Sequence, residues 1–200
     1  MRIAIDACCW SNLRGFGRFT RELVSHMVAE HPGHEYTLVV DRATAEASRL
    51  PAGTRVEIVD TREAPTRAAS AAGARSPADL WRMARAAARV PADLFFFPAV
   101  YSYFPMLRRI PTVVTFHDAI AESHPRLIFP GARARLFWTA KTWLALRQAS
   151  RILTVSLGYP ASDKNVPTQR SITLSSVSKA GSSGTLFAAS FSRFWPNPTV

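Results

Sequence analysis

Residues Thr112-Val113-Val114-Thr115-Phe116-His117-Asp118 run an apolar stretch straight into a histidine and a carboxylate. A continuous apolar run of this length suits a parallel strand that is covered on both faces. Its last two residues then sit at the carboxyl end of the strand, the edge at which open α/β sheets take their ligands. Leu94 to Phe97 is a second run of the same kind. Outward from these two, Ile3 to Ala7, Tyr36 to Val40, Val56 to Val59 and Arg151 to Val155 also read as strands. Between them lie helical patterns at Arg18 to Ala29, Pro77 to Val90 and Ala132 to Ala149. In the first of these, Phe19, Leu23, Val24, Met27 and Val28 share one face, and His31-Pro32-Gly33-His34 stops it. Ser76 ahead of Pro77 is a helix cap. Residues 61 to 76, with Pro65 and Gly73, read as a mobile loop. Strand and helix alternate, so the expected fold class is α/β, a mostly parallel sheet flanked by helices with right-handed crossovers.

Composition narrows the function classes. The chain has 200 residues, 48% of them hydrophobic and 20% charged, which predicts a globular chain with its own core and excludes wholesale disorder. No apolar run approaches the roughly 18 to 20 residues of a membrane span. Cys8 and Cys9 are adjacent, so they form no disulfide framework and read as small buried residues. Met1-Arg2-Ile3-Ala4-Ile5-Asp6 carries an acid within its apolar stretch, unlike a signal peptide, and the expected location is the cytoplasm or the cytoplasmic face of a membrane.

Twenty-five basic residues against 14 acidic ones give a net charge of +11. That balance favours anionic partners such as phosphates or lipid headgroups, although a chain this rich in Ala and Arg also fits a GC-rich gene. No nucleic-acid recognition motif accompanies the charge, so nucleic acid is not an expected partner. In the long helix, Arg133, Arg135, Lys141 and Arg147 alternate with Leu136, Phe137, Trp138, Trp143 and Leu144. Such a helix can pack on the sheet or lie on anionic lipid, and packing on the sheet is the expectation.

Three constellations can carry chemistry. Arg14-Gly15-Phe16-Gly17-Arg18-Phe19 reads as a glycine-bearing loop opening a helix, where backbone N–H groups and the helix dipole favour an anion. It lacks the third glycine of the dinucleotide fingerprint, since Thr20 stands there. His117 and Asp118 can bind or orient sugar hydroxyls or handle a proton. A zinc site is the rival use of that pair and would draw on Glu122 and His124. Ser150 to Ser156 is another strand, ending in a hydroxyl at the same edge. Phe95 to Phe97 and Tyr101 to Phe104 read as core and loop packing, with Tyr101 or Tyr103 available to an acceptor site.

Together, Ile3 to Ala7 with Gly15 to Val24, Asp93 to Ile120 and Ala149 to Ser156 resemble the N-terminal domain of family 4 glycosyltransferases of GT-B fold. The resemblance covers residues 1 to about 156 and implies a Rossmann-like domain, half of a retaining transferase that uses a nucleotide-sugar as co-substrate with no bound metal or other cofactor. It implies that Gly15, Gly17 and Arg18 approach the donor phosphate or the transferred sugar. His117 would contact the donor sugar, Asp118 would shape the side of a glycan or lipid-linked acceptor, and Ser156 and Tyr101 would line the cleft.

After Ser156 the text changes. Residues 157 to 200 hold nine serines and four prolines, with Asp163 the only acid, so the glutamate pair of the family's donor-binding domain does not occur there. The expectation is an irregular Ser/Pro-rich tail, disordered or out of frame, on a truncated chain. A non-enzymatic basic module that docks on anionic membrane is the alternative to a transferase.

Overall fold

Each apolar run forms a strand, and each amphipathic segment that the structure describes forms a helix. The computed structural model describes residues 1–62, 76–118, 121, 124–157, 172–178 and 188–191, with side chains described as far as Thr154. The order is β1 (Arg2–Asp6), α1 (Gly15–Glu30), β2 (Glu35–Asp41), α2 (Arg42–Ala47), β3 (Arg55–Val59), α3 (Pro77–Arg89) and β4 (Leu94–Phe97). A 3-10 turn (Val100–Ser102) follows, then β5 (Thr112–Phe116), α4 (Pro125–Ile128), α5 (Ala132–Gln148), β6 (Arg151–Leu157), β7 (Ile172–Ser178) and β8 (Ala188–Phe191).

The sheet order is β3-β2-β1-β4-β5-β6-β7-β8. The pairs among β1 to β6 are parallel, and β7 and β8 join antiparallel. The first six strands have the doubly wound order, in which crossovers leave β1 in one direction and β4 in the other, opening a crevice between their carboxyl ends. The expected Rossmann-like α/β sheet is therefore what the chain forms.

Alternation along the strands supplies both faces of the core. Ala4, Val39, Phe95, Phe97 and Val114 face one side, where Met83 and Ala84 of α3 and Trp138 and Ala145 of α5 cover them. Ile3, Ile5, Leu38, Val40 and Phe96 face the other, under Val24 of α1. The aromatic runs that read as packing do pack: Phe97 lies 4.9 Å from Tyr103 and 5.0 Å from Phe104, centroid to centroid. Ser76 caps α3 as expected, its hydroxyl accepting from the Asp79 amide at 3.2 Å.

Three departures are informative. Gly15 to Gly17, read as loop, form the first turn of α1. The short helices α2 and α4 are too brief to show a period. The tail that shows no sustained strand period in sequence contributes the backbone of β7 and β8, which extend the sheet from β6. Ile172-Thr173-Leu174 alternates apolar with polar, but Ser175-Ser176 breaks the alternation before it amounts to a signal. Residues 158–171, 179–187 and 192–200, the central part of the expected loop at 63–75, and Glu122 lie outside the described residues.

The two central strands are tied at their amino ends by Arg2 and Asp93. The Arg2 amide donates to Asp93 Oδ2 at 2.9 Å, the Arg2 guanidinium donates to the same carboxylate, and the Asp93 amide donates to the Arg2 carbonyl at 2.9 Å. The guanidinium holds the Asp93 carboxyl down at about 2, from an ordinary 3.8. The unfolded chain therefore takes up this proton first as pH falls, and the stabilisation present above about pH 3.8 is lost on the way to pH 2. Acid titrations of folding should show Asp93→Asn removing part of the loss of stability between those pH values; an unchanged acid limb would discount the pair, whose exposure to solvent keeps it weak.

Candidate active site

The crevice at the strand order reversal is walled by three connections. The first is residues 7–14 after β1. Cys8 and Cys9 are buried there, as read from sequence. Cys9 Sγ donates to Ser102 Oγ at 3.2 Å, joining this connection to the 3-10 turn after β4. Arg21 of α1 donates to the carbonyls of Trp10 and Asn12, clamping the helix to the same segment.

Gly17 explains how close that helix comes. A Cβ on Gly17 would lie 2.0 Å from the Asn12 carbonyl oxygen and 2.9 Å from that of Cys9, whereas one on Gly15 would meet nothing within 4 Å. The absent side chain of Gly17 is thus filled by the protein's own backbone. Gly15, Arg14 and Arg18 stand exposed at the start of α1.

Close approach of α1 sets Phe16 and Phe19 against the other two connections. Phe19 meets the His117 ring edge to face at 4.8 Å. Phe16 lies 4.9 Å from Tyr101, which in turn lies 5.5 Å from Trp138 of α5. Lys141 braces this wall from behind: its Nζ donates to the Tyr101 carbonyl at 3.1 Å and sits 4.5 Å above the Trp138 ring.

His117 and Asp118 emerge at the end of β5, where the sequence places them. His117 Nε2 is 2.8 Å from the Pro98 carbonyl oxygen. A carbonyl only accepts, so Nε2 carries the proton and donates it, and in the neutral ring Nδ1 is an acceptor. Burial lowers the His117 pKa below its ordinary 6.5, opposed by the Pro98 carbonyl and the Asp118 charge. The ring is thereby disposed to accept a hydrogen bond or proton at Nδ1, its single N–H being held by backbone. Asp118 Oδ2 accepts from the Tyr101 hydroxyl at 2.9 Å, which orients the carboxylate.

His117, Asp118 and Tyr101 therefore come together, with Gly15, Gly17 and Arg18 on the helix whose Phe16 and Phe19 reach the same wall. Tyr103 does not join them: it is buried in the core and its hydroxyl bonds to Gln148. Ser156 lies in β6 opposite Thr173, and its side chain is outside the described residues. A shallow depression lined by His124, Pro125, Arg126 and Leu127 shares none of these groups. Sequence reading missed Phe16, Trp138, Lys141 and Pro98 as parts of this arrangement and placed Phe19 only on the apolar face of its helix. Phe16 and Phe19, three apart on the first turns of a helix that opens at the glycines, were the available signal.

The two glycines should respond oppositely to alanine. Gly17→Ala should cost about 2–3 kcal/mol of stability by overpacking. Gly15→Ala should be neutral or stabilise by about 0.5–1 kcal/mol. Denaturant titration measures both, and equal effects would dismiss the Asn12 contact.

The comparisons with known proteins fall on this same region. Searches of curated proteins and of solved structures find no match to the chain. A protein-family model, Glycosyltransferase Family 4, matches residues 13–158, from the connection after β1 to just beyond β6. With its parallel sheet and the crevice at the strand reversal inside that span, the chain belongs to glycosyltransferase family 4.

Proposed function

We propose that this chain provides the acceptor side of a retaining GT-B transferase, which moves a hexosyl group from a nucleotide-sugar to a glycan or lipid-linked acceptor in polysaccharide assembly. The observation that carries this reading is His117, set in an aromatic wall at the strand reversal with its N–H held by Pro98. Nδ1 then accepts from a hydroxyl of the transferred sugar near the reacting carbon. Asp118, oriented by Tyr101, accepts from the acceptor hydroxyl and fixes its line of approach. Gly15 and Arg18 lie where the donor phosphate or sugar approaches α1, Gly17 lets that helix come close, and Ser156 stands near the carboxyl end of β6. In the transfer, the bond from the anomeric carbon to the diphosphate breaks as the acceptor oxygen bonds to that carbon, and the acceptor's proton passes to the departing diphosphate oxygen. The nucleotide-sugar enters as co-substrate, the chemistry requires no bound metal, and the setting is cytoplasmic.

The test is transfer of labelled sugar in a protein where residues 1–157 are continued by a nucleotide-sugar-binding domain of the same family. His117→Ala should lower turnover by at least about 100-fold with the far-ultraviolet spectrum unchanged; unaltered turnover would remove His117 from the mechanism. Because the neutral ring is the working form, turnover should fall on the acid side with a limb below the ordinary imidazole value of 6.5. Asp118→Asn removes a charge that raises the His117 pKa, so it should move that limb to still lower pH. A shift in the other direction would contradict the assigned protonation state.

A further inference from the structure

We infer that the outer face of α5 docks on an anionic lipid bilayer, lying in the headgroup plane. The helix divides into two faces. Trp138 and Ala145 are buried, and Ala134 and Leu144 pack beside them on the sheet. On the other side Leu136 is 71% exposed, Trp143 56% and Leu146 43%. These three recur at helical spacing and so form one contiguous apolar strip on the outer face. Arg133, Arg135 and Arg147 are exposed on the same helix, and the Arg147 guanidinium lies 4.8 Å above the Trp143 ring.

Charge complementarity selects the occupant. From His124 to Leu157 the sequence contains no acidic residue, while Arg126, Arg133, Arg135, Lys141, Arg147 and Arg151 are basic. A second copy of the same face would bring like charges together across a two-fold axis. Nucleic acid would satisfy the arginines and leave Leu136 and Leu146 in water. A bilayer takes both: leucine and indole enter the boundary between headgroups and acyl chains while the guanidinium groups meet lipid phosphates. No helix among the described residues is long and apolar enough to cross a membrane, so the contact is peripheral.

The experiment is co-sedimentation of the whole chain with phosphatidylcholine vesicles, with and without phosphatidylglycerol, at low and high salt. Binding should require phosphatidylglycerol and weaken with salt. The combined substitution Arg133→Glu, Arg135→Glu and Arg147→Glu should reduce it by at least about tenfold. Trp143→Ala should reduce it several-fold, while Trp81→Ala, at a tryptophan equally exposed on α3, should leave it unchanged. Circular dichroism checks that each variant is folded. The inference is overturned if the folded chain ignores phosphatidylglycerol vesicles, if it partitions equally into neutral ones, or if Trp81→Ala weakens binding as much as Trp143→Ala. It is also overturned if the chain ignores vesicles but self-associates through this face, as judged by sedimentation velocity of the same variants. Vesicle binding does not depend on sugar transfer, so it stands or falls apart from the proposed chemistry.

Discussion

The approach of α1 to the Asn12 carbonyl is the constraint on which the candidate site depends. With a Cβ at Gly17 only 2.0 Å from that oxygen, the helix could not keep its place without a shift of backbone. The same contact sets the positions of Phe16 and Phe19, and through them the packing around Tyr101 and His117. Arg21 fixes the segment from above by its bonds to Trp10 and Asn12, and Cys9 fixes it from the side through Ser102. A glycine that in sequence suggests room for a ligand is, in the fold, the means by which a helix closes on its own loop. What the structure shows of it is the placing of the aromatic side chains around His117 and Tyr101. Gly15, with open space around it, is the glycine that leaves backbone accessible.

His117 illustrates how placement narrows chemistry. At the end of a strand an imidazole can donate, accept or carry a proton, and the strand pattern alone does not choose among these. The Pro98 carbonyl does, because it takes the one proton of the neutral ring at Nε2. Burial among Phe16, Phe19 and Tyr101 disfavours a second proton, and Asp118 only partly restores it. The carboxylate in turn is held by the Tyr101 hydroxyl, and the Tyr101 backbone by Lys141. The electrostatic character of the pair is thus set by groups from α1, the connection after β4 and α5, none adjacent to it in sequence.

What was legible in the sequence follows from the range of the physics. Strands β4 and β5 were read to the residue, because parallel strands covered on both faces must be continuously apolar and short. Helix α3 was legible from its serine cap and proline start. The start of α1 was not: glycine has low helix propensity and Arg14 makes no side-chain cap, so local preference pointed to a loop and tertiary packing overrode it. The position of His117 and Asp118 at the carboxyl end of β5 was legible because the apolar run stops immediately before them. Trp138 and Lys141 were not, since their meeting with Tyr101 spans some forty positions of chain and depends on how α5 lies on the sheet.

Helix α5 shows the limit of periodicity most clearly. Its apolar residues occur on both sides, so no single hydrophobic stripe tells which of Leu136, Trp138, Trp143 and Leu144 meet the sheet. The structure separates them: Trp138 and Leu144 turn inward, Leu136 and Trp143 outward. A helix that serves only as a cover for a sheet has no use for an apolar outer face, because each such side chain left in water forgoes the burial that would stabilise it. Lys141 lies over the inner indole and Arg147 over the outer one. The inner pair is tied to the Tyr101 backbone, one bond network from Asp118. The outer pair stands in a segment without acids, which is the charge pattern on which the proposed docking rests. The docking face proposed for α5 and the brace on Tyr101, whose hydroxyl orients Asp118, thus belong to one rigid helix, so a load on its outer face is transmitted to the wall of the candidate site through Lys141.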